Sequence, residues 1–279
     1  MDAVQSYRER LPQARSAVHV SAVWVMQVGA DGAAYEHRTV PNGSVELSYE
    51  LGADRVHVSG PHRLPTVERL ASGSTVVGIR FHPGVAPSVF GLPASELVDR
   101  RIEVESLWDR GAAMLAERLA EAGSPGAVAR LLEDEVAART AVAAEPDALV
   151  TNAVDRLQPW RQENVGALAS GLHISSRQLR RRFLAALGVG PKTFQRVRRF
   201  QGFLALTQGH EDVGLARLAQ RAGYADQAHL TRECSALTGL TPRAFLEETW
   251  RSCGPSHDHD ASYAGLRRAL LGAAAPAGA

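Results

Sequence analysis

The spacing of apolar positions changes along this 279-residue chain. Between residues 18 and 82 apolar residues alternate with polar ones or form short β-branched blocks. Val18 to Val25 is mostly apolar. Ser44-Val45-Glu46-Leu47-Ser48-Tyr49-Glu50-Leu51 alternates strictly, which predicts a strand with one buried face. Arg55 to Val58 and Thr75 to Phe81 repeat the pattern. Turn residues separate the blocks at Asp31-Gly32, Pro41-Asn42-Gly43, Gly60-Pro61 and Ser72-Gly73. Short strands at this spacing predict a small barrel or sandwich. From about residue 105 the period becomes helical. Leu107, Met114, Leu115 and Leu119 mark one amphipathic segment, and Val128, Leu131, Leu132 and Val136 mark the next. The expected organisation is multi-domain α+β. A β-rich regulatory domain spans 1–104, helices that connect or dimerise span 105–145, an all-α domain spans 149–250, and a flexible tail spans 254–279 with a short helix at 261–271.

The all-α segment repeats itself at an offset of 51 residues. Leu179 matches Leu230, Arg181 matches Arg232, Gly188 matches Gly239, Pro191 matches Pro242, Lys192 matches Arg243 and Phe194 matches Phe245. Each copy reads as an apolar helix, a glycine stop and a proline at the next helix start. A short helix precedes each copy, with Ala169 or Ala219 small enough to let two helices cross. Ser175-Ser176 and Asp226 follow as N-caps. This predicts two helix-turn-helix units, whose second helices fit a DNA major groove. Pro191 to Leu206 reads as one helix between them, about 24 Å long at ~1.5 Å per residue. That spacer suits two reading helices on successive groove faces about 34 Å apart.

Charge sharpens this picture. Residues 1–150 carry 14 arginines against 20 carboxylates, whereas residues 151–251 carry 15 basic residues against 8 acidic ones. An acidic module is thus joined to a basic one, as a nucleic-acid-facing domain requires. The second helices display Arg177, Arg180 and Arg181 in one unit and Gln227, Thr231 and Arg232 in the other. Arginine reads guanine and glutamine reads adenine by paired hydrogen bonds, and threonine can meet a thymine methyl. The N-caps Ser175 and Ser176 open a helix start to phosphate. Lys192 and Arg243 occupy equivalent positions one residue after each proline.

These residues resemble the AraC/XylS family of bacterial regulators over about 150–249. Ala219-x3-Gly223-Tyr224-Ala225-Asp226-Gln227-Ala228-His229-Leu230-Thr231-Arg232 followed by Gly239-Leu240-Thr241-Pro242-Arg243-Ala244-Phe245 carries the resemblance. It implies a seven-helix domain that reads double-stranded promoter DNA and contacts RNA polymerase in many members. It also implies base contacts at Arg177, Arg180, Arg181, Gln227, Thr231 and Arg232. The N-terminal part is similar to the β-rich domain that accompanies this module in a subset of the family, on Pro41 to Leu47, Val58 to Pro61 and Gly78 to Ala86. That likeness implies a cupin-like sensing domain, gated by a small-molecule effector or a partner, with homodimers as one arrangement.

A cupin-like domain can also be a metal-dependent enzyme with a DNA-binding appendage. His57, His62 and Glu68 are its nearest ligand candidates, but they lack the His-x-His spacing such sites use. No glycine-rich phosphate loop or Gly-x-Ser-x-Gly elbow occurs, so no catalytic residue, cofactor or metal is expected. The two cysteines, Cys234 and Cys253, read as reduced thiols. With no apolar h-region at the N-terminus and no run near the ~20 residues of a membrane helix, the expected location is the cytoplasm, away from membranes.

Overall fold

The computed structural model describes residues 5–30, 34–108, 110–161, 163–208, 214–253 and 257–273. The Asp31-Gly32 turn and the Cys253 side chain lie outside them. Strands β1 (Gln5–Arg10), β2 (Val20–Val28), β3 (Tyr35–Thr39), β4 (Glu46–Glu50), β5 (Val56–Ser59), β6 (Thr66–Leu70) and β7 (Thr75–Phe81) come first. They are followed by helix α1 (Ala86–Phe90), strand β8 (Arg101–Glu103) and helices α2 (Glu105–Trp108), α3 (Arg110–Glu121) and α4 (Pro125–Thr140). The main sheet runs β8-β5-β4-β7-β2-β1 and is antiparallel throughout, while β3 and β6 pair separately. One face of the sheet carries Val23, Leu47, Val58, Val77 and Ile79. It is covered by Leu115 and Leu119 of α3 and by Val128, Leu132 and Val136 of α4, all in one buried cluster. The predicted amphipathic pair therefore caps the sheet.

The other face is partly polar. Tyr7, Trp24, Met26 and Val76 form a small buried cluster there. Trp24 lies flat over Gly78, where a Cβ would sit 2.2 Å from its ring, so only glycine admits the indole.

The C-terminal domain contains α5 (Ala148–Arg156), α6 (Val165–Gly171), α7 (Ser176–Leu187), α8 (Pro191–Thr207), α9 (Leu215–Arg221), α10 (Gln227–Thr238) and α11 (Pro242–Cys253). Two apolar cores form. One gathers Leu168, Ala169, Leu179, Phe183 and Phe194, and the other gathers Leu218, Ala219, Leu230, Cys234 and Phe245. Helix α8 supplies side chains to both, as a shared spacer would.

The expected flexible tail is a correction. A short strand β9 (His257–Asp258) joins the sheet parallel to β1, and α12 (Asp260–Ala273) follows it. Tyr263, Leu266 and Leu270 of α12 are buried in the second helical core. Their i, i+3, i+7 spacing is a helical apolar stripe, and burying it holds the segment in place.

Candidate functional site

Each helical unit is built by caps and a tight turn. In the first, Ala167 donates its N–H to the Asn164 side chain (2.8 Å), which starts α6. The chain then turns through His173, whose φ is +55°, and Ile174 N–H closes back on Ala169 O (3.1 Å). Ser175 and Gln178 form a reciprocal cap: Gln178 N–H donates to Ser175 Oγ (3.2 Å), and Ser175 N–H donates to Gln178 Oε1 (2.8 Å). The second unit repeats the closure, with Tyr224 N–H on Ala219 O (2.9 Å) and Gly223 at φ +87°. His229 N–H donates to the capping Asp226 (2.6 Å). The one-residue difference between the units falls at Ala225.

Burial sorts the candidate residues. Leu179 and Phe183 point inward on α7, leaving Arg177, Arg180 and Arg181 exposed on one side. Arg182 is held by Asp147 at 2.5 Å. On α10, Leu230 and Cys234 point inward, and Gln227 and Arg232 are exposed. Among the described residues no carboxylate pairs with Arg177, Arg180, Arg181 or Arg232, so four guanidinium groups face solvent with their donors available.

Four candidates look different in three dimensions. Both polar groups of Ser175 are engaged by Gln178, so the orphaned N–H groups of the helix start belong to Ser176 and Arg177. Thr231 is half-buried and its hydroxyl donates to Gln227 O (2.9 Å), leaving its methyl for contact. Lys192 is exposed at the start of α8. Its repeat partner Arg243 pairs with Glu247 (2.8 Å) and borders a cavity between the domains. Replacing Ser175 by alanine is expected to cost about 1 kcal/mol of stability, measured by urea unfolding.

The cavity on the open face of the sheet was less visible in the sequence. A cavity of about 1550 Å³ lies between this sheet face and the second helical unit. It continues into a pocket of about 450 Å³ inside the β-domain. Trp24, Met26, His37, Thr39, Asn42 and Glu46 line both. Trp24 Nε1 and His37 Nδ1 are buried without a hydrogen-bond partner. Burial lowers the His37 pKa below the usual imidazole value, so its ring is neutral at physiological pH. The pocket thus presents an indole donor and an imidazole nitrogen that a bound polar group would satisfy.

At the edge of the cavity Arg80 organises a buried network. It meets Glu9 (2.8 Å), Glu46 (2.7 Å), the Tyr7 hydroxyl (3.1 Å) and Ser262 Oγ (2.6 Å). Burial alone would raise the Glu9 carboxyl. Arg80, aided by His259 and Ser262, outweighs it and holds the group far below the usual carboxylate range. Of the metal candidates, Glu68 pairs with Arg101 (3.4 Å), and no three ligating side chains converge among the described residues.

The β-domain docks on both units. A Cβ on Gly188, just past α7, would lie 2.5 Å from Val98 and 2.9 Å from Ala94 O. Gln201 of α8 donates to Pro41 O (2.9 Å), and Arg38 donates to Thr238 O at the end of α10 (3.2 Å).

Two families match the chain: residues 168–248 fit a helix-turn-helix domain, and residues 8–103 fit a domain of unknown function, DUF6597. No curated protein matches. Among solved structures, ToxT from Vibrio cholerae is similar at 10% identity, covering 87% of this chain and 98% of that one with a TM-score of 0.45. ToxT bound to (E)-4-(8-methylnaphthalen-1-yl)but-3-enoic acid is similar at 8% identity over the same shares, with a TM-score of 0.46. No helix among the described residues is long and apolar enough to cross a membrane.

Proposed function

We propose that the chain is a sequence-specific DNA-binding transcription regulator of the AraC/XylS kind, as the helix-turn-helix match over residues 168–248 supports, and that one monomer reads a bipartite promoter site through α7 and α10. In this reading Arg177, Arg180 and Arg181 meet one half-site, and Gln227, Thr231 and Arg232 meet the other. The N–H groups of Ser176 and Arg177, with Lys192, take phosphate. Arg243 swings from Glu247 to a phosphate when DNA binds. The observation that carries the proposal is the pair of capped, duplicated helices whose exposed arginines have no carboxylate partner among the described residues.

The β-domain pocket accepts a small polar effector that satisfies Trp24 Nε1 and His37 Nδ1. Its occupancy biases DNA affinity through differential binding to two states. The protein works in the cytoplasm as a regulator, not an enzyme, and contacts RNA polymerase on the promoter. A homodimer would place two such readers on adjacent sites.

Selection of genomic fragments with the purified full-length protein tests the reading. Recovery of one motif spanning about two helical turns is the expected result. No enrichment over random DNA, with or without an effector that raises the unfolding temperature, would overturn it.

A further inference from the structure

The C-terminal segment belongs to neither domain alone. Its strand β9 pairs with β1, placing His257 opposite Tyr7. Ser262 N–H donates to Glu9 Oε2 (2.9 Å), and Ser262 Oγ accepts from Arg80 (2.6 Å). On its other side, Tyr263 donates to Gln201 of α8 (2.9 Å), and Leu266 and Leu270 are buried in the core of the second helical unit. The segment thus holds the β-domain by polar contacts and the helical unit by apolar ones. It also forms one wall of the cavity.

At its start two imidazoles meet. His259 Nε2 and His257 Nε2 are 2.9 Å apart, and His259 Nδ1 lies 3.0 Å from Glu9 Oε1. Glu9 is ionised and accepts, so His259 Nδ1 carries a proton. The facing Nε2 atoms have room for one proton between them, since two N–H groups cannot point at each other across that distance. Docked, the pair therefore holds at most one proton beyond the neutral state. Undocked, each ring binds its own.

We propose that residues 257–273 are a strap clamping the β-domain to the second helical unit, and that full protonation of the His257–His259 pair releases it, opening the cavity wall. The groups facing His257 are Tyr7 and Glu9 from β1, His37 from β3 and His259 of the strap, while Arg38, Arg80, Glu248, Arg251 and Arg267 line the same cavity. Burial, then His259, lowers the docked His257 pKa to about 3, which opposes its charging in place. An undocked histidine titrates near pH 6.5, so acid favours release below that value. Glu9 stays ionised throughout, leaving the histidines as the responsive groups. The shift from pH 7.5 to 5.5 should move the docking equilibrium about tenfold.

Hydrogen exchange on the full chain tests this without DNA, so its outcome is independent of the reading proposed above. Protection factors for 260–272 should fall about tenfold between pH 7.5 and 5.5 while α7 keeps its protection. His257→Gln should abolish the change. An unchanged wild-type strap, or an equal fall in His257→Gln, would overturn the proposal. If His257→Gln leaves the strap unprotected at both pH values, Ser262→Ala decides. It keeps both histidines but removes the Arg80 contact, so the pH of release must rise; an unmoved pH would sink the idea.

Discussion

Replacing Arg80 by methionine is expected to destabilise the folded chain by about 3–5 kcal/mol at neutral pH, read from urea unfolding. The Glu9 side chain is 0% exposed and Arg80 only 13%, so removing the cation strands a carboxylate away from water. The pH dependence gives a second signature. In the wild type the depressed Glu9 carboxyl stabilises the fold above its unfolded value of about 4.5, and this contribution is lost as pH falls through the lower folded value. In the variant, burial acts without Arg80, and the Glu9 carboxyl is raised. The folded state then binds its proton more readily than the unfolded one, so the deficit shrinks on acidification. Adding Glu9→Gln should recover most of the loss at neutral pH. A deficit under about 1 kcal/mol at neutral pH would contradict the buried network.

On DNA, Arg181→Ala and Arg232→Ala should each cost about 1–3 kcal/mol at the selected site, roughly 5- to 150-fold in affinity. Both residues are exposed at matched positions of the repeat, where a groove-facing helix presents its donors. Each change should relax preference at one base position in its own half-site. Lys192→Ala should instead weaken all sequences alike and reduce the salt slope by about 1. Competition binding with single-base variants of the selected site separates these outcomes. Uniform weakening by Arg181→Ala would assign that arginine to phosphate.

Strands β4 and β7 were legible because alternation or a β-branched run marks a buried face. Strands β1, β3 and β6 were not. Gln5-Ser6-Tyr7-Arg8-Glu9-Arg10 has Tyr7 as its one aromatic side chain, and the rest of its inward face is polar, with Glu9 buried through the Arg80 network. Strands β3 and β6 pair only with each other and bury none of their residues fully, so neither carries an apolar stripe. The repeat made the helical units plain. The role of Gln178 was also available, since Ser-x-x-Gln at a helix start is a capping signature. The tail was misjudged because alanine and glycine surround Tyr263, Leu266 and Leu270 and dilute a stripe whose acceptor, the second core, exists only in the folded chain. The pocket could not be read in advance, because Trp24 and His37 meet only when the separate β3–β6 pair lies over the main sheet.

Helix α8 has one further implication. Val197 and Phe194 lie 3.5–3.6 Å from where a Cβ of Gly43 would sit, and Gln201 is tied to Pro41. The loop that links β3 to β4 therefore grips the shaft between the two helical units near its middle. On the proposed reading, a shaft of fixed length sets the distance between half-sites, whatever the β-domain does. What the β-domain can alter is tilt, and a tilt applied at mid-shaft reaches both helical units together. Operators of this protein should then tolerate changes of base more readily than insertion of a single base pair between the half-sites.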